Sequence, residues 1–118
     1  MKILVVDDNR INRLLPMTLL RQAGCEVAEC EDGEEALRVL AAEAFDLVLL
    51  DIGMPGMSGT EVCRVLRTRP EGAALRIIAY TAHALPSETE TIMTAGFDGL
   101  LIKPIDRKTL LRAVGLEA

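Results

Sequence analysis

Apolar residues follow two alternating patterns along the chain. Short runs rich in valine, isoleucine and leucine are typical of strands buried on both faces, whereas apolar residues spaced three or four apart are typical of helices. The predicted strands are 3–6, 26–30, 46–50, 75–80 and 98–102. A helical pattern follows each strand, so the sequence predicts an α/β fold in which helices cover both sides of a parallel sheet.

Polar residues and glycines mark the ends of the predicted helices. These helices are 10–23 before Gly24, from Asp32 to about 44, from Ser58 to about 67, from Ser87 to 96, and from Asp106 into the C-terminus. Asp32, Ser58 and Ser87 each precede a glutamate by three residues, the spacing of a capping box. Pro16 lies inside the first helical pattern, where it removes a backbone hydrogen bond, so we expect a kink or a late start there.

Composition narrows the class of protein. The chain has 118 residues, about one domain, and half of them are apolar. A net charge of −5, one tyrosine and two phenylalanines argue against direct binding of nucleic acid. The three cysteines form no metal-binding motif, which favours free thiols in the cytoplasm. No apolar segment is long enough to predict membrane insertion.

Charged and hydroxyl side chains follow four of the five predicted strands. Asp7 and Asp8 follow the first strand, Asp51 the third, Thr81 the fourth and Lys103 the fifth. Ligands of open parallel sheets bind at the carboxyl ends of the strands, so these side chains should converge. Three clustered carboxylates need a cation, and oxygen ligands of this kind suit Mg²⁺. With Lys103 and Thr81 the set is typical of a phosphoryl-transfer site.

The segments ILVVDD, LLDIGMPGMSG, IIAYTAHA and IKPI together resemble the receiver domain of bacterial response regulators. The resemblance covers essentially the whole chain in order. It implies a flavodoxin-like (βα)₅ fold with strand order 2-1-3-4-5, in a single domain over residues 1–118. The TAHA and KPID stretches are similar to receivers of hybrid histidine kinases, so the chain is either a stand-alone regulator or part of a larger protein.

The same resemblance implies a role for each residue at the strand ends. Asp51 would be the phosphoacceptor, Asp8 a direct Mg²⁺ ligand, and Asp7 a residue that helps to hold the metal through water. Gly53 would offer its backbone carbonyl to Mg²⁺. Thr81 and Lys103 would bind the phosphoryl oxygens. A histidine kinase or a histidine phosphotransfer protein would donate the phosphoryl group, in two-component signalling rather than in enzymatic turnover.

Four apolar residues near the predicted site are candidates for the partner-binding surface. Ile11 and Leu15 lie one helical turn apart, and Pro104 and Ile105 follow Lys103. We expect the kinase or phosphotransfer protein to dock there. The expected state is a monomer, with a phosphorylation-dependent dimer as the alternative.

Two other functions remain open from the sequence. A phosphohydrolase of the haloacid dehalogenase type also uses a strand-end aspartate and Mg²⁺, but it carries a second aspartate two residues later, where this chain has Gly53. A receiver-like module that binds partners without being phosphorylated is the other. Leu100 departs from the family pattern, which often has tyrosine or phenylalanine there, and His83 is expected to be a loop residue near the site.

Overall fold

A parallel β-sheet with helices on both faces forms the fold. The computed structural model describes residues 1–82 and 86–116. The strands are β1 Lys2–Val6, β2 Glu26–Cys30, β3 Leu47–Asp51, β4 Arg76–Thr81 and β5 Gly99–Ile102. The helices are α1 Arg10–Gln22, α2 Gly33–Ala42, α3 Gly59–Arg67, α4 Pro70–Ala73, α5 Pro86–Ala95 and α6 Arg107–Ala113. The strand order β2-β1-β3-β4-β5 confirms the predicted topology and places β3 in the centre.

Side chains that alternate along the central strands supply two separate cores. Leu50 and Ile77 belong to the cluster under α2, α3 and α5, and Leu49 and Ile78 belong to the cluster under α1 and α6. Every residue of β3 is buried. Because each fully buried leucine or isoleucine contributes about 1.5–3 kcal/mol, this strand is a rigid support for whatever stands at its end.

Side-chain caps fix the helix starts close to where the sequence predicts them. Asp32, Ser58 and Asp106 each accept a hydrogen bond from the backbone three residues ahead, as predicted. Asn9, which the sequence analysis did not identify, caps α1 by accepting from two backbone N–H groups. The helix assigned to Ser87 begins at Pro86, and the side chain of Ser87 lies outside the described part of the structure.

Two features of the helices differ from the predictions. The first helix begins at Arg10 and includes Pro16, so the predicted late start is wrong. Pro16 is itself buried, and packing against the core offsets the missing hydrogen bond. The short helix α4 was not predicted, because its four residues are too few to show apolar periodicity; Pro70 stands at its start and no side chain caps it.

The loop after β3 is tied to the sheet at both ends. Met54 is 5 % exposed and lies in the core, which anchors the first part of the loop. At the far end, a Cβ atom on Gly59 would overlap the backbone carbonyl of Asp51. Gly59 is therefore needed for the start of α3 to approach the end of β3, and the loop is held beside Asp51.

Candidate functional site at the carboxyl edge of the sheet

Three carboxylates meet where β1 and β3 end side by side. Oxygen atoms of Asp7, Asp8 and Asp51 lie within 4.8 Å of one another. Asp7 is fully buried and Asp51 is 5 % exposed, whereas Asp8 is exposed. The cluster is thus closed on the protein side and open toward solvent at Asp8.

Lys103 brings a positive charge into this cluster from the end of β5. Its Nζ lies 2.9 Å from Asp7 Oδ2 and 3.2 Å from Asp51 Oδ1. Its backbone N–H donates to the carbonyl of Thr81 over 2.7 Å, which fixes it beside the end of β4. One ammonium among three ionised carboxylates leaves two negative charges uncompensated. Hard carboxylate oxygens with an excess of two negative charges are the donor set that suits a divalent cation such as Mg²⁺.

Burial and charge shift the ionisation of two groups at the site. Burial raises the pKa of the Asp51 carboxyl, and the Asp7 carboxylate raises it further, against the opposing effects of Lys103 and the Gly53 N–H. Burial alone would lower the pKa of Lys103, but its hydrogen bond to Asp7 and the charge of Asp51 raise it overall. Lys103 is therefore a permanent cation at neutral pH, while Asp51 gives up its proton less readily than an exposed aspartate does.

Space for a ligand group lies on the side of Asp51 that faces α5. A cavity of about 390 Å³ is lined there by residues that include Gly53, Thr60, Thr81 and Ile92. Thr81 is the last residue of β4 and is 8 % exposed. A Cβ atom on Gly53 would meet nothing within 4 Å. The cavity thus joins the predicted hydroxyl donor to the loop after the candidate phosphoacceptor.

Tyr80 is a further neighbour of the site. Its Cα pairs with that of Asp51 in the sheet, and its ring centroid lies 4.6 Å from Lys103 Nζ. The face of the ring attracts the ammonium and supports its position. Tyr80 lies opposite Leu101 of β5, two residues before Lys103, and this pairing cannot be read from sequence spacing. Burial raises the pKa of the Tyr80 hydroxyl.

Three of the four residues predicted to contact a partner are exposed, and one is not. Ile11 is 75 % exposed and Leu15 is 46 % exposed, and Pro104 is also exposed. Ile105 is 6 % exposed and belongs to the core, so it does not form part of an accessible surface. The sequence held a signal for this: Ile105 precedes the cap Asp106 and shares a cluster with Leu110, which is the spacing of a hydrophobic staple.

Two further residues of interest lie near the site in sequence. Leu100 is half-buried and packs against the core cluster under α2, α3 and α5. His83 lies outside the described residues, as do its two successors along the chain.

The site and the sheet together define a class of protein, the phosphoacceptor signalling domains. Its features are a buried strand-end aspartate, an acidic pair and a strand-end lysine on a sheet of order 2-1-3-4-5. The chain matches the family model of the response regulator receiver domain over residues 3–115, and it belongs to that family. It is a receiver domain of the two-component signalling type.

Several sensor kinases contain a segment similar to this chain. Sensor protein GacS of Pseudomonas syringae pv. syringae is 42 % identical over 116 residues, which is 96 % of this chain and 13 % of that protein. The CAI-1 autoinducer sensor kinase/phosphatase CqsS of Vibrio cholerae is 40 % identical over 114 residues, or 96 % of this chain and 17 % of that protein. The chain thus spans only a small part of these curated relatives.

Solved structures show the same fold. The chemotaxis protein CheY4 of Vibrio cholerae superposes with a TM-score of 0.92 at 32 % identity, over 97 % of this chain and 95 % of that one. The receiver domain of sensor histidine kinase PA1611 from Pseudomonas aeruginosa, whose structure has a magnesium ion in the active site cleft, gives a TM-score of 0.86 at 33 % identity and 97 % coverage of both chains. In the part of this chain that the structure describes, no helix has the length and apolarity needed to cross a bilayer.

Proposed function

We propose that Asp51 accepts a phosphoryl group from the phosphohistidine of a histidine kinase or a histidine phosphotransfer protein. The observation that carries the proposal is the position of the Asp51 carboxylate. It stands at the end of the central strand, 3.2 Å from the Lys103 ammonium and within 4.8 Å of two other acids. Rigid support and a concentrated charge are what phosphoryl transfer requires of a protein nucleophile.

The transfer exchanges one bond to phosphorus for another. An oxygen of ionised Asp51 attacks the phosphorus atom, and the bond from phosphorus to the imidazole nitrogen breaks. The electron pair of that bond returns to the imidazole, which takes up a proton, and Asp51 becomes an acyl phosphate. Because the Asp51 pKa is raised, Lys103 also serves to keep the carboxyl ionised before the attack.

A divalent cation fits the donor set, and we assign it four ligand positions. Asp8 and Asp51 would bind Mg²⁺ directly, the Gly53 carbonyl would add a backbone oxygen, and Asp7 would act through water. Asp7 already uses both carboxylate oxygens, since Oδ1 accepts from Asn9 N–H and Oδ2 from Lys103. Bound Mg²⁺ would neutralise charge on the phosphoryl oxygens as they arrive. The magnesium ion in the active site cleft of the PA1611 receiver supports the choice of Mg²⁺ as the cation.

Thr81 and Lys103 would hold the transferred group after the reaction. Thr81 stands at the adjacent strand end beside the 390 Å³ cavity, where its hydroxyl can turn toward a phosphoryl oxygen. Lys103 would exchange part of its contact with Asp51 for a charge-assisted bond to that group. The added charge of about −1.5 to −2 would then change the surface around the loop after β4.

The donor would dock on the exposed residues Ile11 and Leu15 of α1 and on Pro104. Exposed apolar side chains beside a polar site are suited to a partner helix. We place this exchange in the cytoplasm, in agreement with three free cysteines. A monomer is the proposed resting state, and sizing before and after phosphorylation tests it.

Intact-mass measurement after incubation with a phosphohistidine donor and Mg²⁺ tests the proposal. Wild type should gain one phosphoryl group, and Asp51→Asn should gain none. Asp46→Asn, one residue before the start of the same strand, is the matched control and should react like wild type. Equal gain by wild type and Asp51→Asn would contradict the proposal. Steady hydrolysis of a small phosphate ester by the wild-type protein would favour the phosphohydrolase instead.

A further inference from the structure

Arg13 is a buried cation outside the group of residues that the proposed reaction uses. It lies on the inward face of α1, and its side chain is 9 % exposed. Its Nη1 donates to the backbone carbonyl of Asp7 over 2.6 Å, and its Nε donates to Glu29 Oε1 over 2.8 Å. The guanidinium therefore bridges the end of β1 and the edge strand β2.

The carbonyl that Arg13 holds belongs to the peptide between Asp7 and Asp8. Asp7 N–H is fixed separately by the carbonyl of Cys30 at 3.2 Å, and its carboxylate is fixed by Asn9 and Lys103. Arg13 supplies the constraint on the next peptide plane. The orientation of that plane decides where the exposed Asp8 side chain points. If the peptide turned about the Asp7 Cα–C bond, the Asp8 Cα and carboxylate would move with it.

We propose that Arg13 is a positioning residue for the acidic pair, which aims the Asp8 carboxylate at the cation site by holding the Asp7 carbonyl. The inference rests on the proposed function for its purpose, but the bond network on which it acts is independent of phosphorylation. Groups that orient metal ligands typically change metal affinity by about 10- to 100-fold when they are removed. We expect Arg13 to act at the lower end of that range, because it orients Asp8 through the backbone.

A purely structural role for Arg13 is the competing explanation, and the chain offers a matched control for it. Arg67, at the end of α3, also donates to backbone carbonyls, those of Gly72, Leu75 and Gly96. These carbonyls precede β4 and β5 and so lie near the amino ends of the strands, whereas the carboxylates lie at the carboxyl ends. Removing Arg67 should destabilise the fold while leaving the cation site untouched.

Titration with Mg²⁺, followed by the amide NMR signals of Asp8 and Gly53, separates the two explanations. Arg13→Met should bind Mg²⁺ about 10-fold more weakly than wild type, and Arg67→Met should bind with wild-type affinity although it melts at a lower temperature. Equal affinity in Arg13→Met and wild type would overturn the proposal, and so would an equal loss in both variants. If Arg13→Met does not fold, Arg13→Gln replaces it. The glutamine amide ends where arginine Nε stands, so it can still donate to Glu29 but offers no donor in the place of Nη1 for the Asp7 carbonyl. Unchanged affinity in that variant would overturn the proposal.

Phosphorylation kinetics provide a second readout. With a small-molecule phosphoryl donor, Arg13→Met should need about 10-fold more Mg²⁺ for half-maximal rate yet approach the wild-type rate at saturation. A lowered rate at saturating Mg²⁺ with an unchanged half-maximal concentration would contradict the positioning role. If wild type takes up no phosphoryl group at all, the proposed function fails, and the NMR titration still decides the role of Arg13.

Discussion

Replacing Lys103 by methionine should destabilise the metal-free domain and make it dependent on Mg²⁺. The Nζ contacts of 2.9 and 3.2 Å with Asp7 and Asp51 are each worth about 5–6 kcal/mol at an effective dielectric constant near 20. Dehydration of the ammonium offsets much of this attraction. The carboxylates also repel one another by about 3.5 kcal/mol per pair or more, since their oxygens lie within 4.8 Å. With Lys103 still 16 % exposed, we expect a net loss of about 2–4 kcal/mol.

The loss converts into a measurable melting shift. An unfolding entropy of about 2.1 cal/mol/K per residue gives about 0.25 kcal/mol/K for this chain, so each kcal/mol lowers Tm by about 4 °C. Lys103→Met should therefore melt about 8–16 °C below wild type in EDTA at pH 7. Mg²⁺ at about 100 times its Kd adds about 2.7 kcal/mol to wild type. The same Mg²⁺ concentration should stabilise the variant by more, because no ammonium competes for its carboxylates.

The pH dependence has a definite sign. The folded-state pKa of Lys103 is raised, so its stabilising contribution is fully present below its ordinary pKa and is lost only as pH rises through the folded value. The folded-state pKa of Asp51 is also raised, so stability from that group is lost as pH rises through its folded pKa. The gap between wild type and Lys103→Met should thus be wide at pH 7 and should narrow when Asp51 becomes protonated in acid.

Circular dichroism melts of the two proteins, with and without Mg²⁺, make the test. Lys108→Met, on the exposed face of α6, is the control and should stay within about 2 °C of wild type. If Lys103→Met matched this control in EDTA, or if Mg²⁺ failed to recover its stability, the account of the charge cluster would be wrong.

Three further predictions concern the metal, the loop and the partner. Asp8→Ala should weaken Mg²⁺ binding by calorimetry more than Asp7→Ala does, because Asp8 is assigned the direct contact; the reverse order would mean that the assignment is wrong. Gly59→Ala should lower the free energy of unfolding in urea by at least about 2 kcal/mol, because its Cβ would overlap the backbone of Asp51, even though alanine normally favours helices. Gly53→Ala, whose Cβ would meet nothing within 4 Å, should leave that free energy nearly unchanged. Similar losses in the two variants would refute the close approach at the start of α3. Ile11→Asp should slow transfer from a protein donor and leave a small-molecule donor unaffected, and equal slowing with both donors would indicate a defect in the site rather than in docking.

The sequence predicted those features of the structure that depend on residues close together in the chain. The apolar runs at β1, β3 and β4 predicted strands buried on both faces, and the polar residues at the ends of β1, β3 and β5 predicted the convergence of Asp7, Asp51 and Lys103. The capping spacings located the starts of α2, α3 and α6 within a residue. The order of the strands came from the resemblance to a family, because sequence patterning does not specify which strands are neighbours.

What the sequence missed depends on contacts between distant segments. Arg13 resembles an ordinary surface arginine until α1 packs its side chain against Asp7 and β2. Tyr80 joins the site because pairing of β4 with β5 sets it opposite Leu101, two residues before Lys103, whose ammonium lies over its ring. Ile105 was assigned to the surface because it adjoins Lys103 and Pro104, whereas the staple at the start of α6 buries it.

Chemical trapping of the phosphorylated residue tests the central claim most directly. The wild-type protein is incubated with a phosphohistidine donor and Mg²⁺, treated with borohydride, which reduces an acyl phosphate to the alcohol, and mapped by peptide mass spectrometry. We expect homoserine at position 51 and unmodified aspartate at positions 7 and 8. Reduction at Asp7 or Asp8 with Asp51 intact, or loss of the donor's phosphoryl group with no modification at Asp51, would contradict it.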